Sequence, residues 1–260
     1  MTGAVGPTLR AELTKLISLR SVWITWVAAV VLPIAITAAT SAEAGREIAG
    51  NDPRLAAGVV PDSIGLDYAA LAVVGMAIIG VVAATSETSD GQIRVSLAAV
   101  PARGVLLSMK MLAVLACTSV AAVTTVVGSS LVGQVIISHS GVDTSGVSRS
   151  LVVLWIGAVV FLMGFAQIGL ALGVLLRNGF VPIAILIVFT QGGVMFLTLT
   201  PWVKFLPSIA GYQLFDTGLF REEFPSASMA VPASYAVFGL WVLGLSACAL
   251  WVFSRRDVRR

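Results

Sequence analysis

Apolar residues run along this chain in long blocks holding little or no charge, and the charged residues gather in the segments between them. A helix needs about 20 residues to cross roughly 30 Å of hydrocarbon. Blocks near that length lie at about 22–42, 68–86, 111–138, 150–176, 178–200 and 232–254. Inside a bilayer each backbone N–H and C=O must be satisfied within its own segment, so such runs are read as helices. The pattern predicts an all-α, polytopic membrane protein: six transmembrane helices in a single domain over 1–260. The third run ends in Gly128, Ser129, Gly133 and Gln134, and its far end is expected to bend or to line a cavity.

Two shorter patterns stand outside the blocks. Before the first, Leu9, Leu13, Leu16 and Ile17 recur at helical spacing, with Arg10, Glu12, Thr14, Lys15 and Ser18 on the other side. This predicts an amphipathic helix over 8–22, capped by Thr8, lying along the cytoplasmic leaflet with Arg10, Lys15 and Arg20 available to lipid headgroups and Trp23 at headgroup depth. Between the second and third blocks, Ser89-Asp90-Gly91-Gln92 matches a capping box, and Ile93, Leu97 and Val100 then share a face. Pro101 closes the segment by pushing Val100 out of the helical region. A helix of about ten residues is too short to persist alone, so 87–101 needs a surface, either headgroups or a protein cleft. Glu87 and Asp90 suit the start of this helix, but Glu87 also ends the second span, where the macrodipole opposes it. A basic group from another chain, or from Arg10, Lys15 or Arg20, would resolve that tension; the plain alternative is a solvated turn.

The remaining connections are less patterned. Residues 43–66 are rich in Gly, Pro, Asp and Ala and read as an irregular loop with at most one short helix. Residues 201–225 are too polar to cross yet carry Trp202, Phe205, Phe215, Phe220 and Phe224. They read as short helices at the outer interface or as a segment dipping back into the membrane, forming either an outer gate or an aromatic belt. Gly169 and Gly173 make a GxxxG on the fourth run, a small-residue face for packing within or between chains.

Composition and charge set the class and the orientation. The chain is 58% hydrophobic and 11% charged, against about 25% charged in an ordinary soluble domain. With the N-terminus inside, Arg10, Lys15, Arg20, Arg94, Arg103, Lys110, Arg177, Arg255, Arg256, Arg259 and Arg260 are cytoplasmic, and Arg46, Arg54, Arg149, Lys204 and Arg221 are outside. That bias obeys the positive-inside rule and places both termini in the cytoplasm. The same topology accounts for the net charge of +3 without nucleic acid, and the RRDVRR tail is a headgroup anchor. The first run also admits a signal-peptide reading, with Ala42-Glu43-Ala44 as cleavage site, but its length and its Trp23 and Trp26 favour a retained signal anchor.

Absent motifs narrow the function. There is no GxxxxGK[ST] loop, HExxH or GxSxG. His139 and Asp143 sit in a Gly/Ser loop, and Cys117 and Cys248 lie within spans with no metal-ligand neighbours. The chain is expected to be no enzyme and to bind no cofactor itself. No span has an ionisable residue at its middle; Asp67, Glu87, Lys110 and Arg177 lie near ends. Proton coupling is thereby disfavoured, whereas sodium coupling through carbonyls stays open. Candidate pathway residues are Thr118, Gln134, Gln167 and Gln191, each of which could instead bond within its own helix.

Taken together, the six spans, the leading ELTKLISLRSVWIT, the segment ETSDGQIRVSLAAVPARGVLLSMK and the tail FSRRDVRR resemble the permease subunit of a type-two ATP-binding-cassette (ABC) exporter of the actinobacterial kind. The resemblance spans nearly the whole chain and is most specific at Glu87, Gly91, Ile93, Arg94, Leu97, Pro101, Arg103 and Lys110. It implies that Glu87, Asp90 and the residues to Pro101 and Arg103 form a coupling helix docking on a cytosolic ABC ATPase, with Thr88 where the family commonly has an aromatic residue. It further implies an ATPase dimer holding ATP and Mg, and a second permease, identical or homologous. The readings left beside it are a non-transporting scaffold or immunity subunit and an ion-coupled secondary transporter.

Overall fold

The computed structural model describes residues 5–51, 63–89, 103–141, 144, 146–191 and 200–255, and among them the backbone forms helices and turns without strands. Helix α1 (Val5–Ser18) is separated from α2 (Arg20–Asn51) by a break at Leu19. Then follow α3 (Leu66–Ala69), α4 (Ala72–Ser89), α5 (Arg103–Ser138), α6 (Arg149–Leu176) and α7 (Phe180–Gln191). After the short helices α8 (Pro207–Tyr212) and α9 (Leu219–Glu223) the last long helix is α10 (Val231–Arg255).

Among the described residues, five stretches are long and apolar enough to cross a membrane: Arg20–Ile48, Leu66–Ser86, Arg103–Ser138, Arg149–Leu176 and Val231–Arg255. The chain is a multi-pass, all-α membrane protein. The sixth predicted span, 178–200, appears as the 12-residue α7, about 18 Å of helix; residues 192–199 lie outside the described residues. Two helices outrun their apolar blocks. Helix α2 continues past 42 to Asn51, and α5 begins at Arg103 instead of 111. In both extensions Ala, Glu, Arg, Leu and Met sustain helix after hydrophobicity ends, because propensity and burial are separate signals. Ala42 to Ala44, offered above as a cleavage site, is helical. Helix α1 starts at Val5, ahead of the predicted Thr8, with Pro7 tolerated in the first turn. The indole Nε1 of Trp23 donates to the carbonyl of Ile17 at 2.6 Å and so closes the elbow between α1 and α2.

Helices α4 and α6 form the centre. Each buries 56% of its most apolar window, against 22% for α2 and 11% for α10, which are peripheral. Lipid is as apolar as leucine, so helices associate in a membrane mainly through close van der Waals fit, and small residues permit that fit. Gly80 faces the backbone of Ala166 and Leu170, Gly169 faces the backbone of Ala77, and a Cβ on Gly173 would lie 2.7 Å from that of Ala84. The GxxxG of α6 therefore packs within the chain. Ser148 caps α6 by accepting from the Leu151 N–H at 3.0 Å, and Arg177 ends it at φ 52. Asn178 Oδ1 then accepts from the N–H groups of Phe180 and Val181 at 2.7 and 3.1 Å, starting α7 after a three-residue turn.

The third run shows no break. Helix α5 is continuous to Ser138, and Gly128 and Gly133 receive Ile34 and Ile64, while Thr125 Oγ1 donates to the Ala29 carbonyl of α2 at 3.2 Å. These small residues admit neighbours instead of bending the helix. Gly65, at φ 82, turns the chain into α3 directly over the Ser129 backbone, where a side chain would meet that carbonyl. Lys110 packs near α1 and Ser129 near α3, so these two contacts lie about 28 Å apart along α5.

Candidate functional site

At the N-terminal end of α5 the described charges converge on one carboxylate. Glu12 is 1% exposed, with Lys110 Nζ 2.6 Å from one of its oxygens and Lys15 Nζ 2.7 Å from the other. This corrects the predicted face of α1. Thr8, Glu12 and Leu16 turn inward with Leu9 and Leu13 partly covered, whereas Ile17 is 51% exposed. The apolar period placed the face nearly a residue off because a buried ion pair, invisible to a hydrophobic pattern, sets the rotation. Lys15 is therefore engaged by Glu12, while Arg10 and Arg20 are exposed. Arg103 opens α5, and Glu87 lies in the last turn of α4. Asp90, Gly91, Ile93, Arg94, Leu97 and Pro101 lie outside the described residues.

The opposite end of the bundle holds a cavity of about 410 Å³ lined from α3, α4, α6, α7, α8 and α9. Its walls are apolar at Leu71, Phe161, Ile209 and Phe224, and its acids are Asp67, Asp216 and Glu223. The Tyr212 hydroxyl donates to Asp67 Oδ1. Burial, and then the nearby carboxylates, push the Tyr212 hydroxyl well above its ordinary value, so it remains a donor. Asp216 Oδ1 accepts from the backbone N–H groups of Gly218 and Phe220 at 3.1 and 3.0 Å, which fixes the turn into α9.

Buried Gln213 holds the segment together, accepting from Met229 N–H at 2.7 Å and donating to the Ala227 and Ile209 carbonyls at 3.2 and 3.3 Å. Residues 201–229 thus form short helices, as expected, but are packed inward: Gly157 lies under Leu214, and Gly211 meets Phe161 and Phe238. The aromatic residues divide between the two readings. Trp202 and Phe205 face outward, and Phe215 and Phe220 are buried.

The candidate pathway residues are not brought together. Thr118 Oγ1 donates to Val114 of its own helix at 2.7 Å, and Gln134 Nε2 reaches Ser130 Oγ at 3.4 Å. Gln167 Nε2 donates across to the Met111 carbonyl at 3.0 Å and ties α6 to α5. Gln191 borders the cavity. Sequence reasoning missed Asp67, Tyr212 and Asp216 as a group; the signal available was the density of acids and aromatic residues in YQLFDTGLFREEF. Cys117 and Cys248 are both free.

No curated protein matches the sequence. The family model described as ABC-2 family transporter protein matches residues 8–193, a stretch running from the α1 helix that carries Glu12 to just beyond α7. A multi-pass helical chain matched over most of its length in this way belongs to the ABC-2 transporter family and is a membrane permease component of it, not itself the catalytic part.

Proposed function

We propose that the chain is the permease subunit of an ATP-driven exporter in the cell membrane, with both termini cytoplasmic. The observation that carries this reading is membership of the ABC-2 family over residues 8–193. ATP and Mg are held by a separate cytosolic ABC ATPase dimer, and a second permease, identical or homologous, completes the pathway. The segment 87–101 docks on the ATPase through Glu87, Asp90, Arg94 and the face of Ile93 and Leu97. The positive-inside count supports the orientation, since the end of the bundle bearing α1 and Arg103 is the basic one. The Glu12 and Lys110 pair favours such coupling physically. It fastens α1 to the first two turns of α5, so a push delivered just before Arg103 would move α1 and α5 together.

The test is copurification of the full chain with the soluble ABC ATPase encoded beside it, for the wild type, Glu87→Ala and Arg94→Glu. Expected is a stable wild-type complex that Arg94→Glu disrupts, with membrane insertion unchanged. A wild type that recruits no ATPase, or transport that runs without ATP and collapses with an ion gradient, would replace this reading by a scaffold or a secondary transporter respectively.

A further inference from the structure

The cavity lined from α3, α4, α6, α7, α8 and α9 joins four features that point to one ligand chemistry. First, Asp67, Asp216 and Glu223 line it, with no Lys or Arg among its described lining. Like charges gathered beside apolar walls repel one another, and a cation entering between them relieves that repulsion. Second, Ser208 also lines the cavity, is 6% exposed, and its hydroxyl has no hydrogen-bond partner among the described residues. A buried hydroxyl left unmatched costs about 1–3 kcal/mol, so its position calls for a group that can bond to it. Third, Tyr212, Phe220 and Phe224 form a connected aromatic set, with ring centroids 5.8 and 5.4 Å apart, and such faces attract organic cations. Fourth, about 410 Å³ suits a small organic molecule and far exceeds a bare metal ion.

We propose that this cavity binds a small amphipathic ammonium: a protonated amine whose N–H groups meet the Asp67 and Glu223 carboxylates and the Ser208 hydroxyl, and whose apolar body lies against Leu71, Phe161 and Ile209. A protonated amine fits better than a quaternary one because the site offers hydrogen-bond acceptors as well as charge. Binding itself goes beyond the permease reading and does not need an ATPase. Only the further step, that the bound amine stands at the outer end of the export route, rests on that reading.

The test uses the full chain in lipid nanodiscs and isothermal titration with phenethylammonium chloride, phenethyl alcohol and 3-phenylpropionate. The ammonium should bind saturably, the alcohol at least tenfold more weakly, and the carboxylate not at all. Asp67→Asn, which keeps an acceptor for Tyr212, and Glu223→Gln should each weaken ammonium binding at least fivefold, and Ser208→Ala about threefold. Equal binding of alcohol and ammonium would overturn the proposal and reduce the cavity to an apolar crevice. So would unchanged affinity in both carboxylate variants, or no saturable ammonium binding by folded wild type. The comparison of ligands on wild type stands even where a variant fails to fold. Because the isolated chain is titrated, failure of ATPase copurification and failure of amine binding are read independently.

Discussion

Replacing Lys110 by methionine tests whether α1 is held by its buried charge. In the wild type the Glu12 side chain is 2% exposed and lies between Lys110, 9% exposed, and Lys15, 39% exposed. Removing one member of a buried pair strands the other, at a cost of about 3–5 kcal/mol. Lys15 stays, but a half-exposed pair three residues apart on one helix is worth only about 0.2–1 kcal/mol. The net loss for Lys110→Met is therefore placed at about 3 kcal/mol of α1 docking, roughly 150-fold in its opening equilibrium. Amide hydrogen exchange in nanodiscs reads this directly, with α1 amides accelerating by about that factor and α6 amides unchanged. The double variant Glu12→Leu/Lys110→Met, which replaces the pair by apolar contact, should return to within about fivefold of wild type. An α1 that exchanges within threefold of wild type in Lys110→Met would refute the reasoning. A double variant no better than Lys110→Met alone would refute it equally.

Three further outcomes are expected. Gly80→Ala drives a Cβ into the Ala166 carbonyl and should cost about 1–3 kcal/mol, lowering the thermal midpoint in detergent, while Gly239→Ala, with open space around it, should not lower it. Gln167→Leu removes the bond to Met111 and should cost about 0.6–1.7 kcal/mol by the same assay. The hydroxyl of Tyr212 is raised from 10.0 in the folded chain, so its contribution is complete below that pH and declines as pH rises beyond it. Tyr212→Phe should flatten that part of the alkaline loss of stability, and an unchanged alkaline profile in the variant would show that Tyr212 does not titrate as described.

The long elements were legible because bilayer helices announce themselves by uncharged length. The fourth run, expected at 150–176, is Arg149–Leu176, and the last, expected at 232–254, is Val231–Arg255. Helix ends were less legible where polar residues kept the helix going, as from Glu43 to Asn51. What hydropathy could not carry was pairing over distance. Nothing near Glu12 in the sequence points to Lys110, and Asp67 meets Tyr212 across 145 positions. The direction of the GxxxG face was likewise undetermined until Ala77 and Ala84 were seen opposite it.

The glycine-lined contact between α4 and α6 limits how this molecule can change shape. Two backbones that touch without side chains between them have no compliant layer, and sliding by part of a turn would drive a carbonyl into an α-carbon. These helices therefore travel as one rigid body. The seam that can yield lies on the other side of α6, where Phe161 and Phe165 meet Phe238 of α10 with ring centroids 6.0 Å apart. Aromatic rings can reorient there and keep contact while the helices shift. Any rearrangement of the bundle is thus steered toward a hinge along α10, with α4 and α6 as its unyielding leaf.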